Sequence, residues 1–423
     1  MQAIRHLSSF ITTSPLVMGL LAFSSAQAFT RVVRLCALLI VARRLSPDLF
    51  GVAALALSLF ELIRVLTNAG IGQRLIIATE EELAALCVTA HRLFWAICVT
   101  VAVVQLVVAA IVATVFALPM VGAMLCVLAL VYFAMPPGLV QIFLTMRAMR
   151  MERVAKVAAT QAIADSFLTL LLALLWPSAW ALVLPKLLAA PIWTILARRA
   201  THWIPDKAIQ PAPLREFAIM GPSILATEVM AAVRLNVDKL VVGAAFGTEA
   251  LGLYYFAFNA GLGITQSFVA ACSIVVFPLF AKVCRQTLAQ EFRKAFSTGF
   301  ALLAPVVVLQ ATLSPYYVPV LFGEEWAAAV PYIALLSLAA LPLYAGSMVG
   351  SALRVEKRPE RESILTACAS LSALAGLGIG SFLGLAGACI GYGLGLTLVF
   401  LPAAAVRLTA NTCPPAQPKG AVS

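Results

Sequence analysis

The sequence predicts an all-α polytopic membrane protein of about twelve transmembrane helices, and three observations predict it. Of the 423 residues, 62% are hydrophobic and 11% charged, with a mean hydropathy of +1.01, whereas soluble domains are roughly 45–50% apolar and 25% charged. Apolar runs of about 20 residues, the length a spanning helix needs, recur along the whole chain. Lys and Arg gather in alternate connections between those runs. A water-soluble fold is excluded, and twelve spans at about 20 residues each leave no room for a large extramembrane domain. The formal charge of +11 therefore points to membrane orientation and not to nucleic acid.

Breaking the apolar runs at Pro, Gly and charge clusters places α1 at 17–42, ending at Arg43-Arg44, and α2 at 49–71, ending in Asn68-Ala69-Gly70. The third helix, α3 (93–117), follows His91-Arg92, and Pro119 separates it from α4 (120–143). After the basic Arg147 to Lys156 connection come α5 (157–176) and α6 (178–196), parted only by Trp176-Pro177-Ser178. Beyond a polar stretch lie α7 (217–245), α8 (251–279) and α9 (296–314). The chain continues with α10 (328–352), α11 (363–383) and α12 (385–406), the last two divided only by Leu383-Gly384. Arg5, an apolar run and Ala26-Gln27-Ala28 imitate a secretory signal. Cleavage there would leave Phe29 to Ala42, too short to span, so the run reads as the first membrane helix.

The positive-inside rule tests this topology independently of hydropathy. With the N-terminus inside, 21 of the 29 Lys and Arg fall in cytoplasmic segments, and Arg43 and Arg44 alone fall outside. Both termini are therefore expected in the cytoplasm. The outside connections are short except for Ser314 to Ala327, where Tyr316, Tyr317 and Trp326 read as interfacial anchors.

An internal repeat divides the helices into two sets of six. Residues 45–56 (LSPDLFGVAALA) align at an offset of 201 with 246–257 (FGTEALGLYYFA), matching Asp48 to Glu249, Gly51 to Gly252 and Ala56 to Ala257. Such an offset implies parallel repeats about an axis along the membrane normal, although a glycine-containing turn is the simpler source of so short a match. The expected organisation is a six-helix bundle at 1–196, a cytoplasmic linker at 197–216 carrying Pro205, Pro211 and Pro213, a second bundle at 217–406 and a cytoplasmic tail at 407–423.

Ten ionisable residues fall inside these spans: Arg31, Arg34, Glu61, Arg64, Asp165, Lys186, Glu228, Arg234, Asp238 and Lys239. At about 2.5–3.5 kcal/mol each on insertion scales, such groups require compensation and face a protein interior or a wet cavity. Glu61 with Arg64 (i,i+3) and Arg234 with Asp238 (i,i+4) share helix faces and can neutralise one another, for the sake of the fold alone or of a site. Asp165 and Lys186 could pair between α5 and α6. Arg31 and Arg34 repel unless an anion or neighbouring acids approach. The alternative is that both snorkel outward, but at 1.5 Å per residue Arg31 lies roughly 18 Å below Arg43. The ten sum to +2, a balance that favours an anionic guest, and guanidinium groups suit phosphate oxygens.

Other chemistry is sparse. The nine cysteines include no C-x-x-C and read as small buried hydrophobes, and the three histidines lie near helix ends, so no metal is expected. There is no phosphate-binding G-x-x-x-x-G-K-[ST] loop, which leaves an ion gradient or downhill transport as the energy source. Pro185 and Pro191 in α6, Pro222 in α7 and Pro305 in α9 suit kinks around a cavity. Glycines from Gly376 to Gly395 make α11 and α12 a small-residue packing surface.

Four stretches carry a resemblance. Residues 42–51 (ARRLSPDLFG) are similar to an A-R-x-L-S-P-x-x-F-G turn, 68–72 (NAGIG) to a D-x-G-[LI] helix end, 236–254 (NVDKLVVGAAFGTEALGLY) to a D-x-x-[LIV]-[LIV]-G-x-x-x-G-x-x-x-[LV]-G-x-Y segment, and 322–326 (FGEEW) to an F-G-x-x-W turn. The chain thus resembles the polysaccharide transporter family, the lipid-linked oligosaccharide flippases of the multidrug/oligosaccharidyl-lipid/polysaccharide exporter superfamily.

The resemblance implies two six-helix bundles forming a V-shaped central cavity. It also implies translocation of undecaprenyl-diphosphate-linked repeat units across the bacterial inner membrane by alternating access, with proton or sodium antiport and no cofactor. A polysaccharide polymerase or export machinery would be the partner, with no nucleic acid. By motif Asp238 matches the family's helix 7 acid, whereas Arg31 and Arg34 match no family motif and Asn68 stands where relatives often carry Asp. The expected diphosphate-binding set is Arg31, Arg34, Arg64, Lys186 and Arg234, and the ion-coupling candidates are Glu61, Asp165, Glu228 and Asp238. A multidrug exporter would share the bundle but favours cationic cargo. A membrane polymerase or glycosyltransferase would need a larger extramembrane loop than 314–327.

Overall fold

The computed structural model describes residues 33–409, except 207, 219–220, 264, 267, 270–271, 273–275, 277–279, 281–286 and 357. Each of the twelve expected spans is helical over most of its described residues. Arg31 and the signal-like Ala26-Gln27-Ala28 lie outside them, and α1 is described over Val33–Ala42.

The chain divides into two compact units, 1–240 and 241–423. The first takes in the 197–216 connection and the start of α7 because these fold back onto earlier helices. Ala212 N donates to Ala85 O (3.3 Å), Thr89 Oγ1 donates to Ala212 O (3.0 Å), and a Cβ on Gly70 would sit 2.9 Å from Gly221 Cα. Gly70 also has φ +75°, open to glycine at little cost.

In the first unit α2 runs Pro47–Arg64 and closes with a 3-10 turn over Val65–Thr67. The helix α3 starts earlier than hydropathy places it and spans Glu80–Thr114. Its 35 residues make about 52 Å at 1.5 Å each, longer than a bilayer core, so its acidic first turn projects beyond the membrane. There Arg74 bridges Glu82 (3.0 Å) and Glu216 (3.2 Å), and those carboxylates, Glu82 foremost, hold its guanidinium above its ordinary value. Arg147 pairs with Glu80 (2.8 Å) and donates to the carbonyls of Ile76 and Ala78, closing the end of the short helix Ile71–Ile77.

The fourth span is broken into Pro119–Ala129, Val131–Ala134 and Pro136–Arg147, with a 54° bend at Met135. Pro136 and Pro137 cannot donate to the preceding turn, and the hydroxyl of Thr194 in α6 takes the carbonyl of Ala134. The core beside the bend holds Phe60, Met124, Leu128 and Val183. It also buries one polar network, in which Tyr132 Oη donates to Gln105 Oε1 (2.7 Å) and Gln105 Nε2 to Leu125 O (2.8 Å). The α5–α6 joint is a genuine break, with α5 ending at Leu175 and α6 running Trp180–Ala200.

The seventh helix begins at Gly221 and turns into α8 at Gly247 (φ +84°, ψ −177°). By the offset of the repeat Gly247 corresponds to Ser46, the extended N-cap of α2 (ψ +156°). Buried positions follow suit: Phe50, Gly51, Ala53 and Ala56 correspond to Leu251, Gly252, Tyr254 and Ala257, all buried. The match therefore extends to burial along the two helices, whereas the turn residues differ in φ, −67° at Ser46 against +84° at Gly247.

In the second unit α8 contains a π turn over Phe258–Leu262. Its widened ring leaves carbonyls free, and Gln310 Nε2 donates to Ala260 O (2.8 Å) and Gly261 O (3.1 Å). The helix α9 extends to Phe322 through Pro315 and Pro319, so the expected 314–327 loop shrinks to Gly323 and a 3-10 turn over Glu324–Ala329. Trp326 consequently is no interfacial anchor. It is 0% exposed, 4.2 Å from Phe256 ring to ring, while Phe256 also meets Phe322 at 4.8 Å. Tyr316 does stay exposed.

Between α11 (Pro359–Gly380) and α12 (Gly384–Thr409) the chain turns at Gly384, φ +88°. A Cβ on Gly376 would lie 2.2 Å from Gly391 O, and one on Gly380 2.1 Å from Gly387 O, so the two helices meet backbone to backbone. Arg407 and Glu356 tie α12 to the end of α10 through two 2.9 Å bonds. The expectation that cysteines are buried holds for Cys87, Cys98 and Cys389. Cys36, Cys126 and Cys368 are exposed instead, because lipid-facing surface accepts small apolar groups.

Candidate functional site

One pocket of the first unit gathers charges from four helices. On α2 the i, i+3 spacing puts Glu61 and Arg64 on one face, and on α5 Gln161 and Asp165 are one turn apart. On α6 Lys186 and Trp193 stand two turns apart on the same stripe, with the small Ala189 and Ala190 between them leaving room. Arg34 of α1 completes the wall. The cavity measures about 310 Å³, at the low end of roughly 300–1,000 Å³ for ligand pockets. That is space for part of a headgroup and not for a whole oligosaccharide.

The charges are arranged unequally. Arg64 donates through Nε (2.9 Å) and Nη2 (2.6 Å) to the same oxygen, Oε2 of Glu61. Lys186 Nζ reaches Asp165 Oδ2 at 2.7 Å, the interhelical pair that the sequence allowed. Arg34 makes no ion pair or side-chain hydrogen bond among the described residues. Three cations thus face two carboxylates, with Arg34 in excess. Asp165 Oδ1 is buried and has no hydrogen-bond partner, a costly state unless a guest supplies a donor.

Five of the expected site residues, Arg34, Glu61, Arg64, Asp165 and Lys186, therefore line one pocket, while Glu228, Arg234 and Asp238 do not line it. Glu228 accepts from Asn68 Nδ2 (3.4 Å). An Asp at 68 could not donate to it, which gives the departure from the family pattern a local reason. Asp238 takes the ammonium of the adjacent Lys239 (3.1 Å), both residues being buried, and not the expected Arg234 one turn earlier. Arg31 lies outside the described residues. Sequence reasoning missed Gln161 and Trp193. Their helical spacing from Asp165 and Lys186 was the available signal. Trp193 is held from behind by α4, where a Cβ on Gly138 would sit 3.1 Å from its Cζ3.

A family model described as "Polysaccharide biosynthesis protein" matches residues 40–331. The lipopolysaccharide biosynthesis protein WzxC of Escherichia coli (strain K12) is 23% identical over 330 residues, 75% of this chain and 65% of that protein. The succinoglycan biosynthesis transport protein ExoT of Rhizobium meliloti (strain 1021) is 25% identical over 304 residues, 71% of this chain and 61% of that one. The matches thus span less than two thirds of these curated relatives' own length. Among solved structures, the lipid II flippase MurJ in an inward closed conformation superposes with a TM-score of 0.77 at 13% identity, covering 90% of this chain and 86% of that one. An inward-facing multidrug resistance MATE family transporter of the MOP superfamily gives 0.71 at 17% identity, covering 89% and 93%. The fold is the one these transporters share.

Proposed function

The chain belongs to the polysaccharide biosynthesis protein family, and on that premise we propose that it is a flippase for diphosphate-linked polysaccharide repeat units. It carries them from the cytoplasmic to the outer leaflet of the bacterial cytoplasmic membrane by alternating access, with both termini cytoplasmic. The observation that carries this reading is the pocket with more cation than carboxylate, set among membrane helices. Arg34 attracts the diphosphate first, and Arg64 and Lys186 follow as their carboxylate partners yield. The polyprenyl tail stays in lipid, so only the polar head has to find compensation in protein. Arg31 and Arg234 remain candidates for the same anion elsewhere along its path.

Energy comes from a proton or sodium gradient. Protonating Glu61 or Asp165 would release Arg64 or Lys186 for the substrate, and that differential binding is what biases one conformation over another. Glu228 and Asp238, in α7, are the remaining candidates for coupling. A polymerase or export machinery receives the translocated unit, and the chain itself performs transport and no chemistry. A multidrug exporter is the second reading, favoured by the MATE-like fold. The excess positive charge of the pocket opposes the cationic cargo that reading requires.

Removing the gene tests the proposal. The lipid-linked repeat unit should accumulate in the cytoplasmic leaflet, and restoring the gene should clear it. Unchanged polysaccharide export in the deletion strain, with altered drug accumulation instead, would reject it.

A further inference from the structure

The two sides of the pocket ask for different chemistry. Arg34, Arg64 and Glu61 come from α1 and α2, whereas Gln161 and Asp165 come from α5 and Trp193 from α6, with Lys186 of α6 neutralised by Asp165. On this second side the polar groups have hydrogen-bonding capacity left over. The Gln161 side chain makes no hydrogen bond among the described residues, leaving an amide with two donors and an acceptor on the pocket wall. Asp165 Oδ2 is held by Lys186, so its buried Oδ1 is an acceptor with nothing to accept from.

A phosphate cannot fill that need. It is itself an acceptor and carries the same sign of charge as Asp165. A hydroxyl can once the carboxylate, whose Oδ1 is closed off from the cavity here, turns toward it, because it donates to that oxygen and still exchanges hydrogen bonds with an amide. Beside these groups Trp193 contributes a broad, rigid apolar surface fixed at its edge by the close approach of Gly138. An apolar plate next to a small number of convergent polar atoms is the usual make-up of a specific small-ligand site. A pyranose, with an apolar C–H face and a rim of hydroxyls, matches both parts. A cavity of about 310 Å³ admits one such ring beside a phosphate.

We propose that the α5–α6 side of this pocket is a sugar subsite, in which Trp193 and Gln161 read the hexose next to the diphosphate and Asp165 Oδ1 accepts one of its hydroxyls. The inference rests on the flippase reading and deepens it. The arginine side recognises what all substrates of this class share, and the α5–α6 side sets which first sugar is accepted.

The test uses the purified full chain in lipid nanodiscs and isothermal titration with farnesyl diphosphate and with farnesyl diphosphate bearing glucose, galactose or N-acetylglucosamine. At least one sugar-bearing probe should bind wild type about tenfold more tightly than the sugar-free one, the scale of one good hydrogen bond. Gln161→Ala and Trp193→Ala should erase that preference and leave farnesyl diphosphate binding unchanged. Trp193→Phe, which keeps an apolar plate and a smaller volume, should retain most of it, and Gln161→Ala carries the test by itself if Trp193→Ala folds poorly. Arg34→Gln should weaken every probe alike. Wild type binding all probes equally, or Gln161→Ala and Trp193→Ala leaving the sugar preference intact, would overturn the subsite while the flippase reading stands. Wild type binding no diphosphate, or Arg34→Gln weakening none, would remove the flippase reading of this pocket and the subsite with it.

Discussion

Breaking the bridge between Asp165 and Lys186 exposes how the pocket is held together. At 2.7 Å and an effective dielectric near 20, the attraction is about 6 kcal/mol before the cost of dehydrating both groups. The side chains are 14% and 33% exposed, so water screens part of that, and the coupling should fall within about 1–3 kcal/mol, as for contacting residues generally. Lys186→Met leaves a carboxylate with both oxygens unpaired, and Asp165→Asn leaves an ammonium against a neutral amide, so each should destabilise. The double variant removes both charges and should recover much of the loss. The measurement is the temperature at which purified protein leaves the monodisperse peak in size-exclusion chromatography, for wild type, both single variants and the double. Strict additivity, with the double variant as unstable as the two losses combined, would refute the idea that these groups compensate one another inside the membrane.

Three other substitutions check the packing by the same assay. Gly376→Leu must push α11 off α12, because its Cβ would start 2.2 Å from a backbone oxygen, and should cost at least about 1–3 kcal/mol; a neutral result would place the glycine face in lipid. Gly70→Ala should lose about 1–2 kcal/mol from its left-handed backbone alone, and more from crowding Gly221, unless the turn differs from that described. Trp326→Ala, opening a cavity among Phe256 and Phe322, should cost about 3–5 kcal/mol, whereas a ring at the membrane surface would be removed with little loss of stability.

Helix number and the joints between α5 and α6 and between α11 and α12 were legible in the sequence because the bilayer imposes a length and Pro, Gly and charge interrupt it, whereas the break of α4 at Met135 was not read. The Glu61–Arg64 pair was legible because both partners lie on one turn, and Asp165–Lys186 because few charges inside a membrane leave few choices. What could not be read depends on contacts between distant segments. Trp326 has the composition of a surface anchor, and only the continuation of α9 through Pro315 and Pro319 to Phe322 carries it into the core. Proline removes a donor without ending a helix when its neighbours support the backbone, so the prolines misplace that boundary. Asp238 had two cations within reach along α7, and i,i+4 spacing favours Arg234, yet the structure gives it Lys239. Gln161 and Trp193 carry no charge and fit no motif. They acquire a role only where α5 and α6 turn the same faces inward toward Arg34 and Arg64.

On the proposed mechanism Arg34, which makes no ion pair among the described residues, draws in an anionic lipid head. The most direct measurement reconstitutes the protein in vesicles loaded with the lipid-linked repeat unit in one leaflet and follows its appearance in the other by a membrane-impermeant sugar oxidant. Arg34→Gln removes a charge-assisted hydrogen bond of about 1.5–3 kcal/mol and should slow transfer at least tenfold, with Arg44→Gln, in the turn after α1, transferring at the wild-type rate. Transfer by Arg34→Gln as fast as wild type, from equally folded protein, would contradict the account.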